Sequence, residues 1–331
     1  MSDMASGRAG SGARVVTRPR VVTLGETMGL LRATEIGSLA HASHLAVGVG
    51  GAESNVAIGL QRLGVDASWL GRVGDDGLGR RVTREIRAEG VDVRAVVDSG
   101  AATGLMLKER PSAASAAVTY YRRGSAGSRL TPEDLPSGWV EEASLLHVTG
   151  ITPLLSASAD ATVHAAIDRA AAAGVPVSVD VNYRSALAPP GDAADVFRPL
   201  AARAQIVFGG DEELRLLADG DDIAEVARQI RGSRDCLVVL KDGERGATAF
   251  AEETAAAPAF PISPLDTVGA GDAFVAGFLS AHLAGETLEA ALRRANACGA
   301  MACLVPGDWE SAPTRDELAR FLAGDADPVR R

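Results

Sequence analysis

Asp266 to Phe274 reads Asp-Thr-Val-Gly-Ala-Gly-Asp-Ala-Phe. Two glycines, Gly269 and Gly271, bracket the small Ala270, and Asp272 follows at once. Beyond them Phe274, Val275, Phe278, Leu279 and Leu283 recur at helical spacing, so a helix is expected to open after Gly271. A glycine turn that opens a helix leaves backbone N–H groups unpaired at the positive end of the helix dipole, which suits phosphate oxygens. Small residues let the phosphate approach that backbone. A carboxylate repels phosphate, so Asp272 makes chemical sense there if it takes the proton of a hydroxyl attacking the phosphoryl group. An ordinary N-cap is the alternative role for an Asp in this place.

Other polar clusters lie far away in the chain. Gly50-Gly51-Ala52-Glu53-Ser54-Asn55 precedes a helical pattern. Its paired glycines would let backbone approach a hydroxyl-rich ligand; a plain loop-to-helix junction is the alternative. Asp180-Val181-Asn182-Tyr183-Arg184 ends the most apolar strand, Val175 to Val181, where charged side chains reach the ligand crevice of a parallel sheet. Asp180 and Arg184 could instead pair with each other. In Tyr120-Tyr121-Arg122-Arg123, strand alternation puts Tyr120 and Arg122 on one face, offering a phenol and a guanidinium fork to one anion. A solvated strand edge is the plainer reading.

Taken together, these stretches resemble the signatures of the PfkB (ribokinase-like) sugar kinases, over about residues 21–322. Tyr-Tyr-Arg-x-Gly-Ser-Ala at 120–126, Gly-Ile-Thr-Pro at 150–153 and Asp-Val-Asn-Tyr-Arg at 180–184 are similar to the 2-keto-3-deoxygluconate kinases within that family. The resemblance implies that Asp272 is the general base and that Gly269, Ala270 and Gly271 form an anion hole. It implies a sugar site at Gly50, Gly51, Asn55, Tyr120, Arg122 and Arg184. Lys241, Gly243, Asp266, Thr267 and Asn296 would border the nucleotide, although a surface turn and a polar helix face account for Lys241, Gly243 and Asn296 nearly as well. The cofactors implied are ATP and Mg2+, with a monovalent cation as a further candidate. The family's Asn-x-x-Glu, which organises magnesium through water, stands here as Gly210-Asp211-Glu212-Glu213, so only Glu213 is kept. A second departure is Met106, where some of these kinases carry a substrate-binding tyrosine. The implied reaction is ATP-dependent phosphorylation of a sugar acid's terminal hydroxyl. A kinase of fructose, ribose or a nucleoside is the alternative.

The elements that must hold these residues alternate. Strands are expected at 20–25, 67–73, 91–97, 143–148, 175–181, 205–208, 236–241 and 246–250. Helices are expected at 52–63, 77–89, 156–173, 192–202, 211–217, 223–230 and 288–303, besides the one after Gly271. Such alternation specifies an α/β fold with a mostly parallel sheet covered on both faces, an α/β/α sandwich whose ligands bind beyond the carboxyl ends of the strands. Extended pieces within 28–49 and 103–123 fall outside this rhythm. By the resemblance they make a small β-sheet lid over a ribokinase-like core at 20–322, flanked by a disordered tail at 1–19 and a short tail at 323–331.

Composition narrows the classes. The 331 residues are 47% hydrophobic with a net charge of −10, enough apolar material for a core and no basic run for nucleic acid. No apolar stretch approaches the roughly 20 residues of a membrane span, and no secretory signal is seen. The three cysteines have neither zinc spacing nor an even count, as expected of thiols in a reduced cytoplasm. The two lysines, Lys108 and Lys241, lack the Gly-Lys-Ser/Thr context of a P-loop. The partners that the resemblance implies are small molecules, a sugar acid and ATP, and the expected state is a cytoplasmic homo-oligomer.

Overall fold

In the computed structural model, residues 18–112 and 115–324 are described. The tails expected at 1–19 and 323–331 fall almost wholly outside them. Val21 and Val22 show how the core is layered. These neighbours on strand β1 (Arg20–Leu24) point to opposite faces of one sheet, and each is fully buried in a different cluster. The same division holds for Phe208 and Val207 on β10 (Ile206–Gly209) and for Val239 and Val238 on β11 (Leu237–Lys241).

The full sheet has nine strands in the order β13-β12-β11-β10-β9-β8-β1-β4-β5. The remaining members are β4 (Asp66–Gly74), β5 (Asp92–Asp98), β8 (Leu145–Thr149), β9 (Val177–Asp180), β12 (Ala247–Phe250) and β13 (Thr254–Ala257). From β5 to β11 every pairing is parallel, while β12 and β13 run antiparallel at one edge. One face is covered by α1 (Ala52–Arg62), α2 (Gly77–Ala88), α7 (Ala270–Leu283) and α8 (Leu288–Ala302). The other is covered by α3 (Ala157–Ala173), α4 (Pro190–Ala201) and α6 (Ile223–Arg231). The expected α/β/α sandwich with a mostly parallel sheet is thus the observed architecture.

A second sheet, of order β3-β2-β6-β7, joins two chain segments: β2 (Met28–Ala33) with β3 (Leu45–Gly50), and β6 (Leu105–Ser112) with β7 (Ser115–Tyr121). Its strands are the extended pieces that stood outside the helix–strand rhythm. β2 pairs with β6 in parallel, placing Leu30 beside Met106 and Arg32 beside Lys108. Met28, Leu30 and Met106 form a small buried cluster beneath this sheet.

Two local expectations need correction, and two elements are additions to those expected. The helix at 211–217 is only α5 (Asp211–Leu214), because Leu216 and Leu217 bond back three residues rather than four. β13 and α9 (Arg315–Ala323) were not anticipated. The helix expected after Gly271 begins one residue before it, at Ala270, with Gly269 as N-cap. Among the described residues no helix is long and apolar enough to cross a membrane.

Candidate active site

The N-terminus of α7 is the centre of the site. Gly269 adopts φ 79°, a left-handed conformation that glycine tolerates at least cost. A Cβ at this position would also overlap the backbone carbonyl oxygen of Asp308. The Ala270 amide bonds the carbonyl of Thr267 at 3.3 Å, and the first amides of a helix lack intrahelical partners, which suits an anion.

Asp272 lies in the first turn of α7 and is buried. The Nδ2 of Asn55 donates to its Oδ2 at 2.8 Å, joining the Gly50–Asn55 motif to the Gly269–Asp272 motif across 217 residues. Asn55 and Gly59 lie one turn apart on α1, as Asp272 and Ala276 do on α7. A Cβ on Gly59 would stand 2.7 Å from that of Ala276, so absence of a side chain lets the helices approach closely. Below, Phe278 of α7 meets Phe208 of β10 edge-on at 5.3 Å between ring centres, a contact of the kind worth ~0.5–1.5 kcal/mol beyond area burial. Burial pushes the Asp272 carboxyl up to about 7; Asn55 pulls it down and Asp180 adds to the rise. A carboxyl poised near neutrality matches the requirement of a general base, and an N-cap role is ruled out by its place inside the helix.

Two cavities meet at this turn. One, of about 600 Å3, is lined by Lys241, Gly243, Phe260, Thr267, Asn296 and their neighbours. The other, of about 440 Å3, is lined by Gly50, Gly51, Asn55, Asp272 and the inner side chains of the small sheet, Met106, Lys108, Tyr120 and Arg122 among them. Lys241, Thr267 and Gly271 border both. Asp272 faces the second cavity only.

The sequence-derived residues settle into this geometry unequally. A Cβ on Gly50 would overlap the Asp308 carboxylate and Met106, and one on Gly51 would overlap the carbonyl of Glu26. Both glycines are thus fixed by close approach of protein to protein. Tyr120 and Arg122 do share a face, with the guanidinium carbon 5.6 Å from the ring centre. Arg122 is not an unsatisfied cation, however. It is ion-paired to buried Glu26 at 2.6 Å, and Ser125 also bonds that carboxylate. Arg184 is exposed, lines the second cavity and has no ion pair among the described residues. The alternative Asp180–Arg184 pair is not formed. Asp180 accepts two bonds from Lys241, at 2.6 and 2.8 Å. Burial works against charge on Lys241, but Asp180, Glu213 and Asp272 together hold its pKa above the usual lysine value.

On the nucleotide side, Asn296 donates to the carbonyls of Ala257 and Pro258, both at 3.0 Å, and so pins the loop that walls the larger cavity. Glu213 accepts from the amides of Gly210 (2.7 Å) and Tyr183 (2.8 Å), tying the start of α5 to the end of the Asp180–Arg184 run. Asp266, expected beside the nucleotide, turns its carboxylate to Lys108 of the small sheet instead.

Four polar residues of the second cavity escaped the sequence reading. Lys108 is 2% exposed and Glu26 is equally buried. Glu53, at the start of α1, accepts from the hydroxyls of Thr149 (2.8 Å) and Thr152 (2.6 Å), and burial raises its pKa. Asp308 presents a carboxyl that burial pushes up to about 7, with Oδ1 left without a partner. Strand alternation could have flagged Lys108, two residues after Met106. Nothing local marks Asp308, which lies in an irregular loop between α8 and α9.

A parallel α/β sandwich carrying a small covering sheet, with a helix N-terminus where two cavities meet and a buried carboxyl, Asp272, on the wall of one of them, is the arrangement of a ribokinase-like phosphotransferase. Residues 18–315 match the model of the pfkB family carbohydrate kinases, and the chain belongs to that family. It is 39% identical to a Bacillus subtilis 2-dehydro-3-deoxygluconokinase, over 91% of this chain and 95% of that one. It is 36% identical to a Haloferax volcanii 2-dehydro-3-deoxygalactonokinase (92% and 96% covered) and to a Klebsiella pneumoniae fructokinase (82% and 91%). Among solved structures, the fold matches a Thermotoga maritima 2-dehydro-3-deoxygluconokinase with a TM-score of 0.87 at 24% identity, covering 93% of this chain and 99% of that one. It also matches an Escherichia coli protein described as a putative ribokinase II in complex with ATP and Mg2+, with a TM-score of 0.86 at 23% identity, covering 92% and 99%.

Proposed function

We propose that this carbohydrate kinase transfers the γ-phosphoryl group of ATP to the terminal hydroxyl of a sugar acid, 2-keto-3-deoxygluconate. The observation that carries the reading is the position of Asp272, buried where the two cavities meet and poised near neutrality by that burial. A sugar hydroxyl in the smaller cavity would lie between Asp272 and a phosphate seated on the amides of Gly269 to Gly271. Asp272 then takes the hydroxyl proton as the oxygen attacks phosphorus, and the amides stabilise charge on the transferring oxygens. The preference for an acid rests on Arg184, a cation facing the cavity with no ion pair among the described residues, backed by Arg122 and Tyr120. A ligand carboxylate leaving water needs such donors. The two curated relatives named above for 2-dehydro-3-deoxy sugar acids support the same substrate class.

The larger cavity is the nucleotide site on this reading, with Lys241, Gly243, Thr267 and Asn296 on its walls. Among the described residues no group of three or more acidic, histidine or cysteine side chains forms a metal cage. Glu213, on the wall of the smaller cavity, would hold Mg2+ through a water, with the ion entering on the phosphates. The ion supplies charge neutralisation on the phosphates when bound. All three cysteines are buried and free, in keeping with a reducing cytoplasm.

ADP release measured across a panel of sugar acids, fructose, ribose and nucleosides tests the reading. The expected result is the highest kcat/KM with 2-keto-3-deoxygluconate. Faster turnover of fructose or ribose than of any acid would overturn the substrate.

A further inference from the structure

Lys108 is a costly side chain to keep. It sits on the inner face of β6, is 2% exposed, and bonds to the Asp266 carboxylate and to the carbonyl of Gly307 at 3.4 Å. Taking an ammonium and a carboxylate out of water gains little stability over apolar packing, so the pair is better explained by where it places its partners. Those partners are informative. Asp266 lies three residues before Gly269, and its Oδ1 accepts from the amide of Val268 at 3.2 Å, shaping the turn that leads into α7. Gly307 donates its own amide to Asp266 at 3.3 Å, and the next residue, Asp308, presses its carbonyl against Gly269. One ammonium on the small sheet therefore grips both segments that wall the anion hole.

Arg122, partly buried one residue past the end of β7, differs. Its partner Glu26 lies on the connection between β1 and β2, at the root of the sheet. Arg122 fastens the sheet near its connection to β1, whereas Lys108 reaches to the turn itself.

We infer that Lys108 is a positioning residue that couples the small sheet to the anion hole, so that closure of the sheet over the sugar and ordering of the Asp266–Gly271 turn are one event. This rests on the kinase reading above and extends it. A substrate that draws the sheet down would deliver the Lys108 ammonium to Asp266 and Gly307, completing the phosphate cradle only when an acceptor is present. Water, the competing acceptor, would then meet an incomplete hole.

Amide hydrogen exchange on the full-length protein, with 2-keto-3-deoxygluconate and no nucleotide, tests the coupling. In the wild type, the sugar acid should slow exchange both at 105–121 and at 265–271. In Lys108→Met, protection should remain at 105–121 and vanish at 265–271, with core strands β1 and β8 exchanging as in the wild type. Asp266→Asn breaks the same contact from the other side and should reproduce this pattern, which also serves if Lys108→Met fails to fold. In steady state each variant should lose about tenfold or more in kcat with KM for ATP within about twofold, and the double variant should be no worse than either single. Protection of the turn that persists in both variants overturns the coupling, as do multiplicative kinetic losses. Wild-type protection confined to the sheet refutes the coupling alone. Protection nowhere refutes both the coupling and the sugar-acid reading.

Discussion

The two cavities that meet at Gly271 are built from different materials. The larger is walled mostly by short or apolar residues, Ala259, Phe260, Pro261, Ile262 and Pro264 among them, with Lys241, Asp242, Glu244, Thr267 and Asn296 as polar members. The smaller is crowded with charge: Glu26, Glu53, Lys108, Arg122, Arg184, Asp272 and Asp308 all border it. Flat apolar walls suit a purine whose phosphates point toward a helix N-terminus. A polar shell suits a hydroxylated anion, because each buried polar group must find a partner and the substrate can supply it. Affinity for nucleotide should therefore tolerate the loss of single polar groups, while recognition of the acceptor should not.

The largest expected effect is at the junction. Asp272→Asn preserves size and removes the base, so kcat should fall by ~10²–10⁴ with ATP still binding. Turnover within a few-fold of wild type would mean that Asp272 is not the base. Titration gives a second reading of the same group. Because burial raises its pKa to about 7, kcat/KM should climb about tenfold per pH unit below neutrality and level off above it. The sign for stability is opposite. A carboxyl harder to ionise in the folded than in the unfolded chain costs stability above pH ~4, increasingly up to about 7. Asp272→Asn removes that cost. Its melting temperature relative to wild type should rise between pH 4.5 and 8, read by calorimetry.

A smaller loss should mark the charged cavity. Arg184→Ala should lower kcat/KM for the sugar acid by about 10–100-fold, the ~1.5–3 kcal/mol of a hydrogen bond to a charged group, with little change for a neutral sugar. Equal losses for acid and neutral sugar would remove the carboxylate from the argument. Arg122→Ala is the poorer probe, since it strands the buried Glu26 carboxylate and should lower stability as well.

The smallest effect should fall on the apolar side. Asn296→Ala frees the carbonyls of Ala257 and Pro258 and should raise KM for ATP about 3–10-fold, leaving kcat and KM for the acid nearly unchanged. A collapse of kcat there would erase the distinction between the cavities.

Much of this arrangement is legible in the chain, for local reasons. Glycine at 269 before an apolar run specifies a turn and a helix start, since few other residues adopt φ 79°. Short continuous apolar runs separated by helical ones specify a parallel sheet buried on both faces. Even α9, passed over in the sequence reading, carries its signal in Thr314 and Glu317, which form a capping box. β13 is different. Thr254–Ala257 is almost all alanine, without strand propensity, and exists because β12 offers it an antiparallel edge.

What the sequence determined by itself was each motif's local geometry and its chemical type: a carboxylate in the first turn of a helix, a glycine turn before it, a cation beside a phenol. Pairings across the fold were decided only by the tertiary structure. Asp180 had Arg184 four residues away and took Lys241, because β9 and β11 flank β10 and end at the same side of the sheet. Arg122 took Glu26, and Asp266 took Lys108 across 158 residues. A charge in sequence advertises its sign but not its partner, since Coulomb attraction is set by distance and dielectric, and both are products of the packed fold.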